Sequence, residues 1–103
     1  MNSKKNIAVI LGDPRLSDPV KPGNGFDQDD LDTVERLKEA LSYLNGYNFS
    51  YFDNHETLES DLTAGKSRIY LAFNLCDEGF HNQPEREKDI PNMLEDLRIP
   101  YTG

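Results

Sequence analysis

A chain of 103 residues is long enough for one domain and too short for two. Its formal net charge of -8 makes it unsuited to the phosphate backbone of nucleic acids and to anionic lipid surfaces. The one cysteine cannot form an internal disulfide, and no apolar run approaches the roughly 20 residues of a membrane span. Because the apolar residues recur periodically, we predict a single folded domain over residues 1–103, located in the cytoplasm.

The first part of the chain predicts a strand, a long loop and a helix. The apolar run 7–11 is continuous, which is typical of a strand covered on both faces, and Pro and Gly residues mark 13–26 as a loop. Asp27 is placed to cap a helix that reaches about Leu44, since apolar residues recur every three or four positions. Gly46 is expected at the left-handed position that follows the end of this helix.

The middle of the chain predicts two strands joined by a short helix. Residues 47–52 largely alternate between aromatic and polar side chains, which favours a half-buried strand at the edge of a sheet. Asn54 is a candidate cap for a helix that ends near Gly65. The apolar run 69–73 then predicts a third strand.

The last part of the chain predicts a helix followed by a strand. An apolar stripe from Ile90 to Leu97 indicates the helix, with Asp89 as its cap and Pro91 at its first position. Ile99 begins a fourth strand. The alternation of strands and helices favours a parallel sheet with right-handed crossover connections.

The predicted fold class is therefore α/β, a three-layer Rossmann-like domain with a parallel sheet of about four strands in the order 2-1-3-4. In that order the direction of winding reverses between strands 1 and 3, and ligands bind at the carboxyl ends of strands at such a point. We therefore expect Gly12 and Asp13 to lie beside the loop 74–79.

Acidic and amide side chains are concentrated in these two loops. Asp13 follows strand 1, while Asn74, Asp77 and Glu78 follow strand 3. Carboxylates that converge at such a crevice could bind a cation, either the ammonium group of a substrate or Mg²⁺. The alternative is that Asp77 and Glu78 are solvated loop residues or cap the next turn.

Other chemistries find little support in the sequence. No Gly-x-Gly-x-x-Gly follows strand 1, and there is no Gly-Lys-Ser/Thr phosphate loop. His55 and His81 are far apart, and neither has a second Cys or His at metal-ligand spacing. His81 is expected at the surface. Cys76 is expected to be a packed, unreactive thiol, because the neighbouring Asp77 and Glu78 raise its pKa.

The C-terminal third of the chain resembles a known family. The segments "FNLCDEGF" at 73–80 and "REKDIPNMLEDLRIPYTG" at 86–103 are similar to the stretch that closes the first domain of D-alanine–D-alanine ligases and their ATP-grasp relatives. The segment "NIAVILGD" at 6–13 resembles the first strand of that family. Glu87 falls where relatives often carry an acid just before the helix.

The resemblance implies the N-terminal domain of an ATP-dependent carboxylate–amine ligase, such as the D-alanine–D-alanine ligase of peptidoglycan and cell-wall biosynthesis. In this family ATP converts a carboxylate into an acyl phosphate, which an amine attacks, and Mg²⁺ bridges the phosphates. The groups that bind ATP and metal belong to central and C-terminal ATP-grasp domains that are absent from residues 1–103. This chain would bind an amino-acid substrate and hold no cofactor of its own. It would be inactive alone, and it would be able to form a homodimer. The expected substrate contacts are Asp13, Asn74, Asp77, Glu78 and Glu87.

Two departures from the family pattern bear on the substrate. D-alanine ligases proper carry a Gly-Gly-x-Ser-x-Glu loop after strand 1, and this chain has no matching glutamate, with Asp13 and Asp18 as candidate substitutes. Arg98 stands where the family usually has Gly, and its charge is expected to cap the final helix. The identity of the amino acid or peptide that is joined therefore stays open.

Two other classes of protein are compatible with the sequence. The first is a non-catalytic α/β binding or interaction module that acts alone or with a separately encoded partner. The second is a flavodoxin- or receiver-like signalling domain. A receiver would carry a phosphorylatable Asp at the end of strand 3, where this chain has Asn74.

Overall fold

A computed structural model describes residues 4–103 of the chain. Four strands and three helices alternate along it, and three single-turn 3₁₀ helices lie in the loops. The strands and helices are β1 (Lys5–Ile10), α1 (Gln28–Ser42), β2 (Tyr47–Phe52), α2 (Leu58–Gly65), β3 (Leu71–Asn74), α3 (Asp89–Asp96) and β4 (Tyr101–Thr102). The 3₁₀ turns are Pro22–Asn24, Phe80–Asn82 and Pro84–Arg86.

The four strands form one parallel sheet in the order β2-β1-β3-β4. Ile7 of β1 pairs with Phe49 of β2 on one side and with Leu71 of β3 on the other. The predicted α/β class, the parallel sheet and the strand order 2-1-3-4 are therefore confirmed, and the architecture is compatible with a Rossmann-like fold. The prediction that β2 is an edge strand is confirmed as well.

Helices cover both faces of the sheet, which explains the continuous apolar run of β1. Successive side chains of a strand point to opposite faces, so both sets must be apolar when both faces are covered. Ala8 and Ile10 pack with α2, α3 and β3 in one core cluster. Ile7, Val9 and Leu11 pack with the apolar side of α1 in a second cluster on the other face.

The start of α1 agrees with the sequence prediction and its end does not. Asp27 is the N-cap, its side chain accepts a hydrogen bond from the N–H of Asp30, and the Asp30 side chain accepts one from the N–H of Asp27. This reciprocal pair satisfies two backbone donors at the helix start. The helix ends at Ser42 with Tyr43 as its C-cap. Gly46 has the predicted positive φ, 93°, but lies in the following turn rather than directly after the helix cap.

The predicted caps of the two shorter helices are wrong in position. The side chain of Asn54 accepts a hydrogen bond from the N–H of Glu56 and so stabilises the turn before α2, whose N-cap is Thr57. Asp89 is the first residue of α3 rather than its cap. The Asp89 carboxylate pairs instead with Arg86, 2.6 Å away, and this local partner competes with the capping role. Pro91 accordingly falls at the third helical position.

The end of α3 is closed by backbone hydrogen bonds. Arg98 has φ 59°, its N–H donates to the carbonyl of Glu95, and the N–H of Ile99 donates to the carbonyl of Leu94. This pattern is the Schellman motif, in which a left-handed residue after the helix satisfies its last carbonyls. The left-handed backbone explains why Gly suits this position, and Arg98 completes the motif through its backbone.

The two faces of the sheet are covered unequally. Leu58 and Leu62 of α2, and Ile90, Met93 and Leu94 of α3, are buried. No residue of α1 is buried, although its apolar side lies against the sheet. Over the part of the chain that the structure describes, no helix combines the length and apolarity needed to cross a membrane.

Candidate functional site

A cavity of about 550 Å³ opens at the carboxyl edge of the sheet. Gly12 lines it at the end of β1, Asp77 and Glu78 line it beyond the end of β3, and residues of α1 between 28 and 38 close the other side. The volume lies within the range of roughly 300–1,000 Å³ that is typical of small-molecule sites. The predicted meeting of the loops after β1 and β3 is therefore confirmed.

Acidic side chains outnumber basic ones in the lining of this cavity. Six carboxylates and two lysines contribute to it. The carboxylates are Asp30, Asp32, Glu35, Asp53, Asp77 and Glu78, and the lysines are Lys21 and Lys38. The excess of negative charge in a partly enclosed space favours a cationic group and disfavours an anion.

Gly12 allows the walls of the cavity to come together. A Cβ atom at this position would lie 2.5 Å from Oε1 of Glu78 and 2.8 Å from Cζ of Phe26. Real Cβ atoms do not approach other heavy atoms this closely, so any side chain at position 12 would displace the carboxylate or the ring. The glycine after β1 therefore leaves room for the Glu78 carboxylate and the Phe26 ring.

Lys21 brings a positive charge to this acidic wall. Its Nζ lies 3.3 Å from Oδ1 of Asp30 and 3.3 Å from Oε2 of Glu78, and 4.7 Å from the centroid of the Phe26 ring. Sequence reasoning did not assign Lys21, Asp30 or Phe26 to a site. A lone lysine in a Pro- and Gly-rich loop carries no periodic signal, and its partners are determined only by the tertiary fold.

Asp13 lies at the predicted loop, but its carboxylate is bonded within the protein. Oδ1 accepts hydrogen bonds from the N–H and the guanidinium of Arg15, and Oδ2 accepts one from the N–H of His55. Its backbone N–H and carbonyl both bond to the side chain of Asn82. Burial raises the pKa of Asp13, but the hydrogen bonds from His55 and Arg15 outweigh it and the net pKa lies below its usual value. Asp13 therefore joins three loops and does not line the cavity.

Asn74 and Glu87 also lie away from the cavity lining. The side-chain oxygen of Asn74 accepts a hydrogen bond from the N–H of Cys76, 3.2 Å away, and so shapes the turn after β3. Glu87 is exposed, between the last 3₁₀ turn and α3. Of the five residues expected to contact a substrate, the structure brings Asp77 and Glu78 together at the cavity.

His55 is a buried structural residue that sequence reasoning did not identify. Its Nδ1 accepts a hydrogen bond from the backbone N–H of His81, so Nε2 carries the proton and donates to the carbonyl of Leu11, 2.8 Å away. Its ring stacks on Phe80 with centroids 5.6 Å apart. His81 itself is half-buried rather than at the surface, and burial lowers its pKa. No local pattern in the sequence marks these contacts, which join separate loops.

Cys76 lies beside His55 without forming a reactive pair. Its Sγ is 3.9 Å from Nε2 of His55, but that nitrogen donates its hydrogen to a carbonyl and cannot accept the thiol proton. The thiol donates to the carbonyl of Gly79. Burial first, and then the charge of Glu78, raise the pKa of Cys76 to about 12. The predicted packing of Cys76 is therefore confirmed, and its lack of reactivity stays a prediction.

The described residues thus have their buried polar groups paired. Across 4–103, every buried side-chain nitrogen and oxygen has a hydrogen-bond partner. In the same range, no three or more His, Cys, Asp or Glu side chains are grouped so as to hold a metal ion. What distinguishes the cavity is therefore its excess of acidic groups.

Fold and site together define a small α/β domain with an acid-lined cavity at the switch point of a parallel sheet. Comparisons of the chain with protein families, with curated proteins and with solved structures found no match.

Proposed function

We propose that this chain is the substrate-side domain of an ATP-dependent carboxylate–amine ligase related to the D-alanine–D-alanine ligases. One observation supports the proposal above all: Asp77 and Glu78 line a cavity of about 550 Å³ at the carboxyl ends of β1 and β3. This is where a doubly wound parallel sheet binds its ligands. It also corresponds to the wall that the first domain contributes in the family suggested by the segments 73–80 and 86–103.

In this proposal the acidic wall recognises the ammonium group of an amino acid. Glu78 is the principal acceptor, because its carboxylate is held at the mouth of the sheet beside Gly12. Asp77 adds negative charge from the exposed side of the same turn. Asp13 keeps the end of β1 in place through its bonds to Arg15 and His55 and does not touch the ligand.

ATP and Mg²⁺ would supply the activation of the carboxylate and would be held by separate ATP-grasp domains. The residues of this chain bind and orient the amino acid, so we expect 1–103 alone to release no phosphate from ATP. In this proposal the need for ATP also implies a cytoplasmic location. Which amino acid is bound decides whether the product belongs to cell-wall synthesis.

The test is a titration of the ¹⁵N-labelled chain with a panel of D- and L-amino acids and dipeptides, followed by NMR. Binding should shift the amide signals of Gly12, Asp77 and Glu78. The variant Glu78→Gln should bind about tenfold or more weakly, because a hydrogen bond to a charged group is lost. Glu59→Gln, which changes an exposed acid of α2 outside the cavity, is the matched control. If no compound shifts these signals at its highest soluble concentration, the proposal is wrong.

A second candidate is a non-catalytic interaction module, which one observation favours. An apolar groove of about 400 Å³ runs between the C-terminal part of α1 and the sheet, lined by Leu41, Leu44, Phe49 and Phe73 among others. The amino-acid titration and the coding sequence after the Gly103 codon distinguish the two candidate functions. Continuation past the Gly103 codon into a lysine-bearing ATP-grasp domain supports the ligase, whereas a stop codon with no amino-acid binding supports the module.

A further inference from the structure

The segment from residue 17 to residue 25, here called the strap, is bonded mainly to itself. The N–H of Asp18 donates to the carbonyl of Asn24, and the N–H of Asn24 donates to the carbonyl of Lys21. The side chain of Asp18 accepts a hydrogen bond from the N–H of Val20. These bonds hold the strap in one shape, and Asp18, whose side chain is buried, is the point at which the strap packs into the domain.

Lys21 attaches the strap to the cavity. Among the described residues, the hydrogen bonds and ion pairs that leave the strap are those of its Nζ, to Asp30 of α1 and to Glu78 after β3. Only 20% of the Lys21 side chain is exposed. The ammonium therefore bridges two walls of the cavity from a segment whose other hydrogen bonds are internal.

The surroundings of Lys21 are those of a bound ammonium group. Two carboxylates flank Nζ and the face of Phe26 lies 4.7 Å from it, an arrangement in which a cation is attracted by both charge and ring. Burial lowers the pKa of Lys21, but its hydrogen bonds and charge interactions with Glu78 and then Asp30 raise it overall. Lys21 therefore stays charged near neutral pH.

We propose that Lys21 is an internal competitor that holds the strap closed over the cavity by occupying the place of a ligand's ammonium group. A ligand that takes over the carboxylates of Glu78 and Asp30 releases Lys21, and the strap moves away. The identity of that ligand as an amino acid rests on the proposed function, whereas the closed strap stands on the contacts of Lys21.

This arrangement has a consequence for selectivity. A tethered ammonium group competes at an effective concentration of about millimolar, so a simple amine at lower concentration would not open the strap. A ligand opens it only when further contacts in the cavity add to those of its ammonium. A cation that reproduces only the ammonium group of Lys21, without further contacts in the cavity, would therefore leave the strap closed.

The experiment compares the wild-type chain with Lys21→Met and Lys21→Arg, using n-butylammonium as the probe because it reproduces the end of a lysine side chain. In Lys21→Met the probe should bind about tenfold more tightly, since the competing closed state is removed. The amide signals of residues 17–25 should shift, and relaxation dispersion should detect motion of the strap on the microsecond-to-millisecond timescale. Lys21→Arg should stay close to the wild type in both measurements.

Lys66→Met is the matched control, because Lys66 is exposed and lies outside both the strap and the cavity. Lys21→Gln replaces Lys21→Met should the latter fail to fold. Equal affinity for the probe in the wild type and in Lys21→Met would overturn the proposal. Unchanged NMR signals of residues 17–25 in Lys21→Met would overturn it as well. If Lys21→Met binds n-butylammonium tightly but no amino acid binds either protein, the strap proposal stands and the proposed function fails.

Discussion

The Nδ1 atom of His55 accepts a hydrogen bond of 2.7 Å from the backbone N–H of His81. The bond ties the segment before α2 to the loop between β3 and α3, and the N–H of His55 extends the tie to Asp13 after β1. Three loops that the fold places at one edge of the sheet are thereby held at fixed positions. The cavity wall formed by Asp77 and Glu78 rests on this framework.

Replacement of His55 should destabilise the domain strongly. His55→Ala removes a buried ring and both of its hydrogen bonds, so we expect a loss of about 2–4 kcal/mol in the free energy of unfolding. Urea denaturation followed by circular dichroism measures it. His81→Asn is the control, because His81 contributes its backbone N–H and Asn accepts its positive φ of 58°. A loss in His81→Asn as large as that in His55→Ala would contradict this assignment.

The carboxylate of Asp13 should make stability depend on acid pH. Its pKa lies below the usual 3.8 in the folded protein, so its contribution is complete above that value and is lost as the pH falls through the lowered folded pKa. Asp13→Asn should therefore be less stable than the wild type by about 1–3 kcal/mol at neutral pH, with the difference shrinking below about pH 4. Unfolding free energies measured from pH 7 to pH 2 test this. In Asp96→Asn, which alters an exposed acid at the end of α3, the difference from the wild type should stay small at every pH.

Gly12→Ala should impair the cavity more than the fold. The added Cβ displaces Glu78 or Phe26, so we expect amino-acid affinity to fall about tenfold while stability falls by about 1–2 kcal/mol. Gly25→Ala is a stringent control, since its φ of -172° suits any residue and no heavy atom lies within 4 Å of its Cβ position. Binding is read from the NMR titration and stability from thermal unfolding. Unchanged affinity in Gly12→Ala would show that the position of Glu78 does not control binding.

Arg98→Gly should stabilise the domain. A residue with a side chain at φ 59° is strained by about 1 kcal/mol relative to glycine, and the Schellman bonds need only the backbone. Arg36→Gly, which also removes an exposed arginine, should instead lose about 1 kcal/mol because Arg36 lies within α1. Thermal unfolding should give a higher melting temperature than the wild type for Arg98→Gly and a lower one for Arg36→Gly. A lower melting temperature for Arg98→Gly would mean that the Arg98 side chain stabilises the end of α3 after all.

Cys76 should resist alkylation in the folded protein. With its pKa raised to about 12, almost none of the thiol is ionised at pH 8, and only the thiolate reacts. Iodoacetamide should therefore label the folded chain at least about a hundredfold more slowly than the urea-unfolded chain. Mass spectrometry of timed samples measures both rates. Similar rates would show that the thiol is reached without unfolding.

The local patterns of the sequence predicted the sheet well, because they report which faces are covered. The continuous run at β1 and the alternation at β2 correspond to a central and an edge strand, and the predicted cap Asp27 is observed at the start of α1. The caps at Asn54 and Asp89 were misplaced because each side chain found a nearer partner, the N–H of Glu56 and the guanidinium of Arg86.

The candidate site could be predicted only as a meeting of two loops. Asp77 and Glu78 were found because strand order places both loops at one edge. The internal bonding of Asp13 and the bridge made by Lys21 depend on contacts between residues far apart in the chain. Such contacts leave no periodic trace in the sequence.

The helices on the two faces of the sheet are buried to different extents, and this difference bears on the order in which the domain unfolds. α2 and α3 are anchored by fully buried leucines, whereas α1 buries none of its residues completely. We therefore expect partial unfolding to begin with the release of α1, at a free energy below that of the whole domain, while β1, β3, α2 and α3 persist as a unit. Because α1 also forms one wall of the cavity, this released state binds no ligand, and a ligand in the cavity would keep the weakest helix in place.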